Sequence, residues 1–94
     1  MEYNFLNNKT PKEIQMEIAK NIKVKRKELK LTQEEFSKKS GVSLGSIKRF
    51  ENTGEISLFS LVKIAIVLEC EDELLNLFKK VQFSSIEEII NGKY

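Results

Sequence analysis

The sequence predicts an all-α fold in a single domain, and three observations lead to this prediction. Every segment with clear hydrophobic periodicity repeats its apolar residues at helical spacing, and no internal repeat occurs. Combinations of residues that start helices recur ahead of these segments. Proline occurs once and glycine four times in 94 residues, so long linkers are not expected, and a chain of this length holds one hydrophobic core.

The first helix is expected to begin after position 10 and to run to about Lys30. The segment "TPKE" at 10–13 supplies an N-cap, a proline at the first helical position and a capping-box glutamate. An apolar row with four-residue spacing predicts one buried face, and it consists of Ile14, Ile18 and Ile22. Arg26 is the next member of that row, so its charged end either extends to solvent or meets a buried partner.

The second and third helices are expected to be short and closely spaced. "TQEE" at 32–35 is a second capping box, and its helix should end near Gly41, because glycine readily adopts the positive φ of a helix C-terminus. Ser43 can cap the third helix, in which Glu51 lies four residues after Ile47 on the inward side. The expected core residues of this region are Phe36, Val42, Ile47 and Phe50.

Two further helices complete the expected domain, which spans residues 1–80. Ser57 caps the fourth helix. Its predicted apolar stripe is Leu58, Leu61, Ala65 and Leu68. The fifth helix is predicted from "EDELLNLFKK" at 71–80, with acids first and lysines last, as the helix dipole favours. Residues 81–94 are expected to form a C-terminal tail, either as a short helix after a cap at 84–87 or as an extended segment.

Charge is distributed unevenly along the chain, although the formal net charge is only +2. Residues 20–54 contain ten Lys or Arg and four Glu, whereas residues 55–94 contain four Lys and seven Asp or Glu. The basic half is expected to face a polyanionic partner, with a solvated charged face as the alternative. No apolar run approaches the roughly 20 residues of a membrane-spanning helix, so a cytoplasmic location without a membrane partner is expected.

The residue types that support catalysis or metal binding are scarce. The chain has no His and one Cys, Cys70, so neither an internal disulfide nor a Cys/His zinc site is expected. Cys70 fits a small apolar residue near a helix end. Because no glycine-rich phosphate loop or metal-ligand spacing appears, an enzyme is the least expected class of protein. No catalytic residue, cofactor or metal is predicted.

A capped short helix, a glycine-containing turn and a second capped short helix form a helix-turn-helix pattern over residues 32–52. The segment "TQEEFSKKSGVSLGSIKRFENTGEISLFSLVKIAIVL" resembles the DNA-binding domain of Cro/Xre-type phage repressors and bacterial regulators, over about residues 14–69. The resemblance implies a five-helix phage-repressor-like domain. Its recognition helix, residues 43–52, would enter the major groove of double-stranded DNA.

The resemblance also assigns DNA contacts by position. The base-facing residues would be Leu44, Gly45, Lys48 and Arg49. Gly45 would leave room for a base edge or phosphate, Arg49 could bind guanine N7 and O6, and Leu44 could pack on a thymine methyl. The phosphate-facing residues would be Gln33, Ser43, Ser46, Asn52 and Thr53. The alternatives are a flexible loop around Gly45, an ordinary exposed residue at Gln33, a simple cap at Ser43 and a solvated cation at Lys48.

Two features depart from the family pattern. Ser37 stands where a small alanine is usual, and we expect its hydroxyl to hydrogen-bond to the preceding turn. The loop "NTGEIS" at 52–57 carries Glu55, which would repel phosphate, so little backbone clamping is expected from this loop.

The positions of Arg26 and Glu51 are paired in the family, and both continue apolar rows here. We therefore predict an ion pair between the first helix and the end of the third, with two unrelated exposed charges as the alternative.

The expected function is that of a sequence-specific DNA-binding transcriptional regulator, in particular a repressor that acts as a homodimer on an inverted repeat. The candidate dimer or partner contact consists of Val81, Phe83, Ile86, Ile89 and Ile90. These residues could instead fold back onto the fifth helix. The alternative function is an antitoxin or protein-interaction module, since the acidic and apolar region 69–94 also suits a toxin or RNA polymerase as partner.

Overall fold

The structure is a computed structural model of the chain, and it describes residues 8–80 and 89–92. The all-α prediction is confirmed, because no strand occurs in the described ranges. The helices are α1 (Pro11–Glu28), α2 (Gln33–Ser40), α3 (Leu44–Thr53), α4 (Leu58–Val67) and α5 (Glu71–Leu75). Ile89 and Ile90 are also helical, while the predicted cap at 84–87 lies outside the described residues.

Capping boxes start α1 and α2, as local sequence predicts. The Thr10 hydroxyl accepts a hydrogen bond from the Glu13 N–H, and the Glu13 carboxylate accepts one from the Thr10 N–H at 2.9 Å. Thr32 and Glu35 repeat this reciprocal arrangement at the start of α2. Helix α2 ends at Ser40, and because its C-cap Gly41 has a φ of 74°, the chain turns sharply into α3.

The core lies where α1 packs on α3 and where α2 packs on both α3 and α4. Its largest fully buried side chains are Phe36, Ile47, Phe50 and Ile64. The other buried members of the cluster are Ala19, Ile22, Val42 and Leu68. Ile64 is buried although it was not part of the predicted α4 stripe. Leu58 was part of that stripe, but it is 69% exposed. The buried side of α4 is therefore rotated away from Leu58 towards Ile64 and Ala65.

The prediction of one buried row on α1 is wrong for its first two members. Ile14 and Ile18 are 47% and 44% exposed, whereas Ala19 and Ile22 are buried. The reason is that the side of α1 that meets α3 includes Gln15, against whose backbone Gly54 packs. The side facing the core continues from Gln15 through Ala19 and Ile22, and it leaves Ile14 and Ile18 on its flank.

Helix α5 is shorter than the predicted segment 71–80. It ends at Leu75, and the Asn76 side chain donates a hydrogen bond to the Asp72 carbonyl at 2.8 Å. Phe78 then adopts a φ of 60° and is 94% exposed. An Asn side chain competes with the backbone for the hydrogen bonds of a helix, and here it ends α5. The apolar periodicity of the segment therefore predicted a helix longer than the one observed.

Candidate nucleic-acid interface

Helix α3 has one face buried in the domain and an opposite face that is polar and exposed. Ile47, Phe50 and Glu51 are buried in the domain. The exposed positions are Gly45, Ser46, Lys48, Arg49 and Asn52, while Leu44 and Thr53 are partly buried. Because one side of α3 is fixed in the core, the other side offers two cations, a serine and an asparagine amide on a rigid element.

Gly45 belongs to α3, so the flexible-loop alternative at this position is wrong. A Cβ atom at Gly45 would have nothing within 4 Å, which means that the fold itself does not require glycine there. The space next to Gly45 is therefore open at the surface of the first turn of α3.

The hydroxyl groups at the start of α3 contact each other. The Ser43 Oγ accepts a hydrogen bond from the Ser46 N–H at 3.1 Å and donates one to the Ser46 Oγ at 2.8 Å. Ser43 thus caps α3 in the usual way, and both side chains are exposed. This end of α3 lies beside the exposed side chains that the resemblance assigned to DNA.

A buried ion pair joins α1 to α3. Arg26 Nε lies 2.7 Å from Glu51 Oε2, and Arg26 Nη2 lies 3.0 Å from Glu51 Oε1. Arg26 Nη1 also donates to the Leu31 carbonyl at 2.7 Å. The two side chains are only 8% and 2% exposed, so the alternative of two unrelated exposed charges is wrong.

Gln33, a predicted phosphate contact, donates its side-chain Nε2 to Glu51 Oε1 at 2.9 Å. This hydrogen bond ties the first residue of α2 to the ion pair and partly buries the amide. Glu51 consequently accepts hydrogen bonds from α1 and α2 while it belongs to α3. Hydrogen bonds to the Glu51 carboxylate therefore join α1 and α2 to α3 beside the candidate interface.

A second charge cluster lies on the exposed end of α3, and the sequence did not predict it. Arg49 Nη2 lies 2.6 Å from Glu55 Oε1, and Lys12 Nζ lies 3.7 Å from Glu55 Oε2. The Arg49 hydrogen bond and charge, followed by the charge of Lys12, lower the pKa of the Glu55 carboxyl. Glu55 was expected only to repel phosphate; in the folded chain it binds the arginine that was expected to contact guanine.

Thr53 connects this cluster to the end of α3. Its hydroxyl donates to the Arg49 carbonyl at 2.6 Å and accepts from the Glu55 N–H at 3.2 Å. Lys12 donates to the Thr53 carbonyl, so α1 reaches the same turn. The only sequence signal for the cluster is the presence of opposite charges at 49 and 55, on either side of Gly54.

Ser37 also differs from the expectation in its hydrogen-bond partner. Its hydroxyl donates to the Val42 carbonyl at 2.6 Å, which lies in the turn after α2 rather than in the preceding turn. The left-handed conformation of Gly41 folds the chain back and brings this carbonyl beside Ser37. Ser37 therefore stabilises the turn between the two helices of the motif.

The remaining predictions concern the tail, metals and the membrane. Val81, Phe83 and Ile86 lie outside the described residues, and Ile89 and Ile90 are 60% and 75% exposed. Among the residues that the structure describes, no cluster of His, Cys, Asp or Glu could hold a metal ion. No helix within 8–80 or 89–92 is long and apolar enough to cross a membrane.

Comparison with known protein families identifies a match to a large part of the chain. The helix-turn-helix family HTH_3, of the Cro/C1 type, matches residues 22–75, which is more than half of the chain and includes α2, α3 and α4. Neither the comparison with curated proteins nor that with solved structures finds a significant match. HTH_3 is a family of DNA-binding regulatory domains rather than a class of enzymes. The chain belongs to the Cro/C1-type helix-turn-helix family and is a DNA-binding regulator.

Proposed function

We propose that this regulator binds a specific DNA sequence as a repressor, with α3 in the major groove. The observation that carries the proposal is the exposed face of α3, which presents Lys48 and Arg49 from a helix whose opposite face is held in the core by Ile47 and the Arg26–Glu51 pair. A rigid helix of ten residues with cationic side chains suits the width of the major groove.

The proposed base contacts are Leu44, Gly45, Lys48 and Arg49. Arg49 is 68% exposed, and its guanidinium has enough donors to bind guanine while it keeps its contact with Glu55. The open space at Gly45 would allow a base edge or a phosphate to approach the helix backbone. Leu44 is partly buried and would offer only its outer methyl groups to a thymine.

The proposed phosphate contacts are Gln33, Ser43, Ser46, Asn52 and Thr53. Backbone N–H groups at the starts of α2 and α3 and the hydroxyls of Ser43 and Ser46 are suited to an anion. The Gln33 amide is held by Glu51, so it would contact phosphate in the orientation that the ion pair sets. The Thr53 hydroxyl already hydrogen-bonds to the Arg49 carbonyl and to the Glu55 N–H, so it would contribute less to phosphate binding than the other residues.

We propose a homodimer that binds an inverted repeat, because one helix reading a few base pairs cannot select a site from a genome. Two-fold symmetry would place the two recognition helices about 34 Å apart, one turn of DNA. Exposed Ile89 and Ile90 support a contact through the segment after residue 80. The domain proposal is accordingly a DNA-binding unit over 1–80 and a contact segment over 81–94.

The proposal is tested by selecting bound duplexes from a randomised pool and measuring their affinity at about 50 and 200 mM salt. We expect enrichment of an inverted repeat, and an affinity that falls at least roughly tenfold over this salt range because counterions are released from the phosphates. A folded protein that enriches no sequence would contradict sequence-specific binding. A reporter gene controlled by the selected site then tests repression.

A second candidate is a protein-interaction module, and one observation favours it. Phe59, Val62 and Ile66 repeat at helical spacing along α4 and are all exposed, so the domain carries an apolar face outside the proposed DNA-binding helix. An antitoxin or a polymerase-binding protein would use such a face. Folded protein that binds neither random nor selected duplex at low salt would favour this candidate over the DNA-binding function.

A further inference from the structure

We propose that Glu55 is a specificity-determining residue, which holds Arg49 for base recognition and withholds Arg49 and Lys12 from non-specific phosphate binding. The inference rests on the proposed DNA-binding function of α3. In this inference an acidic side chain on the DNA-facing side contributes to specificity, although its negative charge by itself would only weaken DNA binding.

The geometry of the turn after α3 builds the cluster around Glu55. Gly54 has a φ of 80°, and this left-handed residue reverses the chain directly after Thr53. Thr53 then accepts the Glu55 N–H, which fixes the first residue after the reversal beside the last turns of α3. Glu55 is therefore placed by the backbone next to Arg49, rather than meeting it as one of many mobile surface pairs.

The carboxylate is shared between two cations from different helices. One oxygen, Oε1, contacts Arg49 of α3 at 2.6 Å, and the other, Oε2, lies 3.7 Å from the ammonium of Lys12 at the start of α1. Without Glu55, both cations would be available to any nearby phosphate, whatever the base sequence. In the specific complex Arg49 would already be bound to a base, so its release to phosphate would strengthen mainly non-specific binding and would lower the ratio of specific to non-specific affinity.

The contact still leaves Arg49 able to bind a base. A guanidinium has five N–H donors, and the contact with Glu55 engages Nη2. The remaining donors include a pair that can bind guanine N7 and O6 together. An arginine that is already oriented loses less side-chain freedom on binding guanine, whereas a phosphate at another angle would have to compete with the carboxylate.

The test uses Glu55→Gln, which keeps the shape and one hydrogen-bond acceptor but removes the charge. Affinities of the full chain are measured for the duplex selected by the wild type and for a random-sequence duplex, at several salt concentrations. We expect roughly threefold to tenfold tighter binding to the random duplex at low salt, and a salt slope steeper by about one. Binding to the selected duplex should rise less, so the specificity ratio should fall at least roughly threefold.

Two controls separate this role from a general charge effect. Asp72→Asn removes an exposed acid from α5, which packs on α4, and it should leave the specificity ratio unchanged. In an Arg49→Ala background, Glu55→Gln should alter the ratio less than roughly twofold, because the residue to be oriented is gone. Thermal unfolding of each variant verifies that it is folded.

The outcomes distinguish this inference from the proposed function. If the wild type prefers its selected duplex and Glu55→Gln leaves the specificity ratio unchanged or raises it, the role of Glu55 is wrong while sequence-specific binding stands. If the wild type prefers no duplex, sequence-specific binding fails, and the role of Glu55 fails with it.

Discussion

Gly54 lies directly against the backbone of Gln15, where α1 meets the end of α3. A Cβ atom at Gly54 would stand 2.8 Å from both the carbonyl carbon and the Cβ of Gln15, and the φ of Gly54 is 80°. The Gln15 side-chain amide also donates to the Gly54 carbonyl at 3.5 Å. Glycine is therefore required at this position both by its backbone conformation and by the neighbouring helix, and this turn is the one that brings Glu55 back to Arg49.

The first prediction follows from this contact. Gly54→Ala should destabilise the fold by at least about 1–2 kcal/mol, because a side chain is strained in the left-handed region, and the clash with Gln15 adds to that cost. Gly45→Ala is the matched control, since a methyl there meets nothing and should stabilise helix α3 by up to about 1 kcal/mol. Denaturant unfolding measures both; equal stability of the two variants would contradict the prediction.

The second prediction concerns the Arg26–Glu51 pair. Arg26→Met should cost about 3–5 kcal/mol, because it leaves a buried carboxylate without its main partner. Lys9→Met is the control: it breaks the exposed pair with Glu17, in which both side chains are about half exposed, and should cost less than about 1 kcal/mol. An Arg26→Met variant that melts at the wild-type temperature would show that the pair does not stabilise the domain.

The third prediction is a dependence on acid pH. Hydrogen bonds from the N-cap threonines, first from their backbone N–H groups, lower the pKa of Glu13 and of Glu35. A carboxyl whose pKa is lower in the folded state stabilises the fold fully above its unfolded pKa, and this contribution is lost as the pH falls through the folded pKa. The unfolding temperature should therefore fall below about pH 4, towards the acid side of the ordinary glutamate range.

The double variant Glu13→Gln/Glu35→Gln is the comparison for the pH prediction. Glutamine keeps an acceptor for the cap but cannot be protonated in this range, so the double variant should lose less stability than the wild type between neutral and acid pH. Identical losses in the two proteins would place the acid sensitivity in other carboxylates.

The parts of the fold that were predictable depend on residues close together in sequence. The boxes at Thr10 and Thr32 are local, because the residues that exchange hydrogen bonds are three positions apart. The Arg26–Glu51 contact joins residues far apart in sequence, and it was predicted because the family resemblance pairs these positions and both residues continue apolar rows. The family match supports the same motif.

The parts that were not predictable depend on how elements are rotated and where the chain reverses. Periodicity could not tell that Ile14 and Ile18 lie on the flank of α1, because the buried side is set by the close contact with Gly54. The Arg49–Glu55 contact likewise requires the turn at Gly54. The role of each proposed DNA contact stays a prediction.

The fourth prediction concerns the proposed dimer. The full chain should sediment as a dimer in the micromolar range without DNA, and a chain truncated after Lys80 should sediment as a monomer. Ile89→Ser/Ile90→Ser in the full chain is the finer variant, because both side chains are exposed and the substitutions leave residues 8–80 intact. A truncated chain that remains a soluble dimer would place the contact elsewhere, with the exposed face of α4 as the next candidate.

The fifth prediction concerns Arg49 and specificity. Arg49→Ala should weaken binding to the selected duplex by about 1–3 kcal/mol, as expected for the loss of a two-donor contact with guanine. Binding to random duplex should change far less. Lys48→Ala is the comparison on the same exposed face of α3. Equal losses on both duplexes would make Arg49 a phosphate contact.

The central claim, that α3 recognises bases in the major groove through Arg49, is tested most directly by combining this variant with altered DNA. Each guanine of the selected half-site is replaced in turn by an analogue with carbon in place of N7. The affinities of the wild type and of Arg49→Ala are measured for the unmodified duplex and for each modified duplex. We expect one guanine at which the analogue weakens the wild type but barely affects Arg49→Ala, with a coupling energy of about 1–3 kcal/mol. Additive losses at every guanine would contradict base recognition by Arg49.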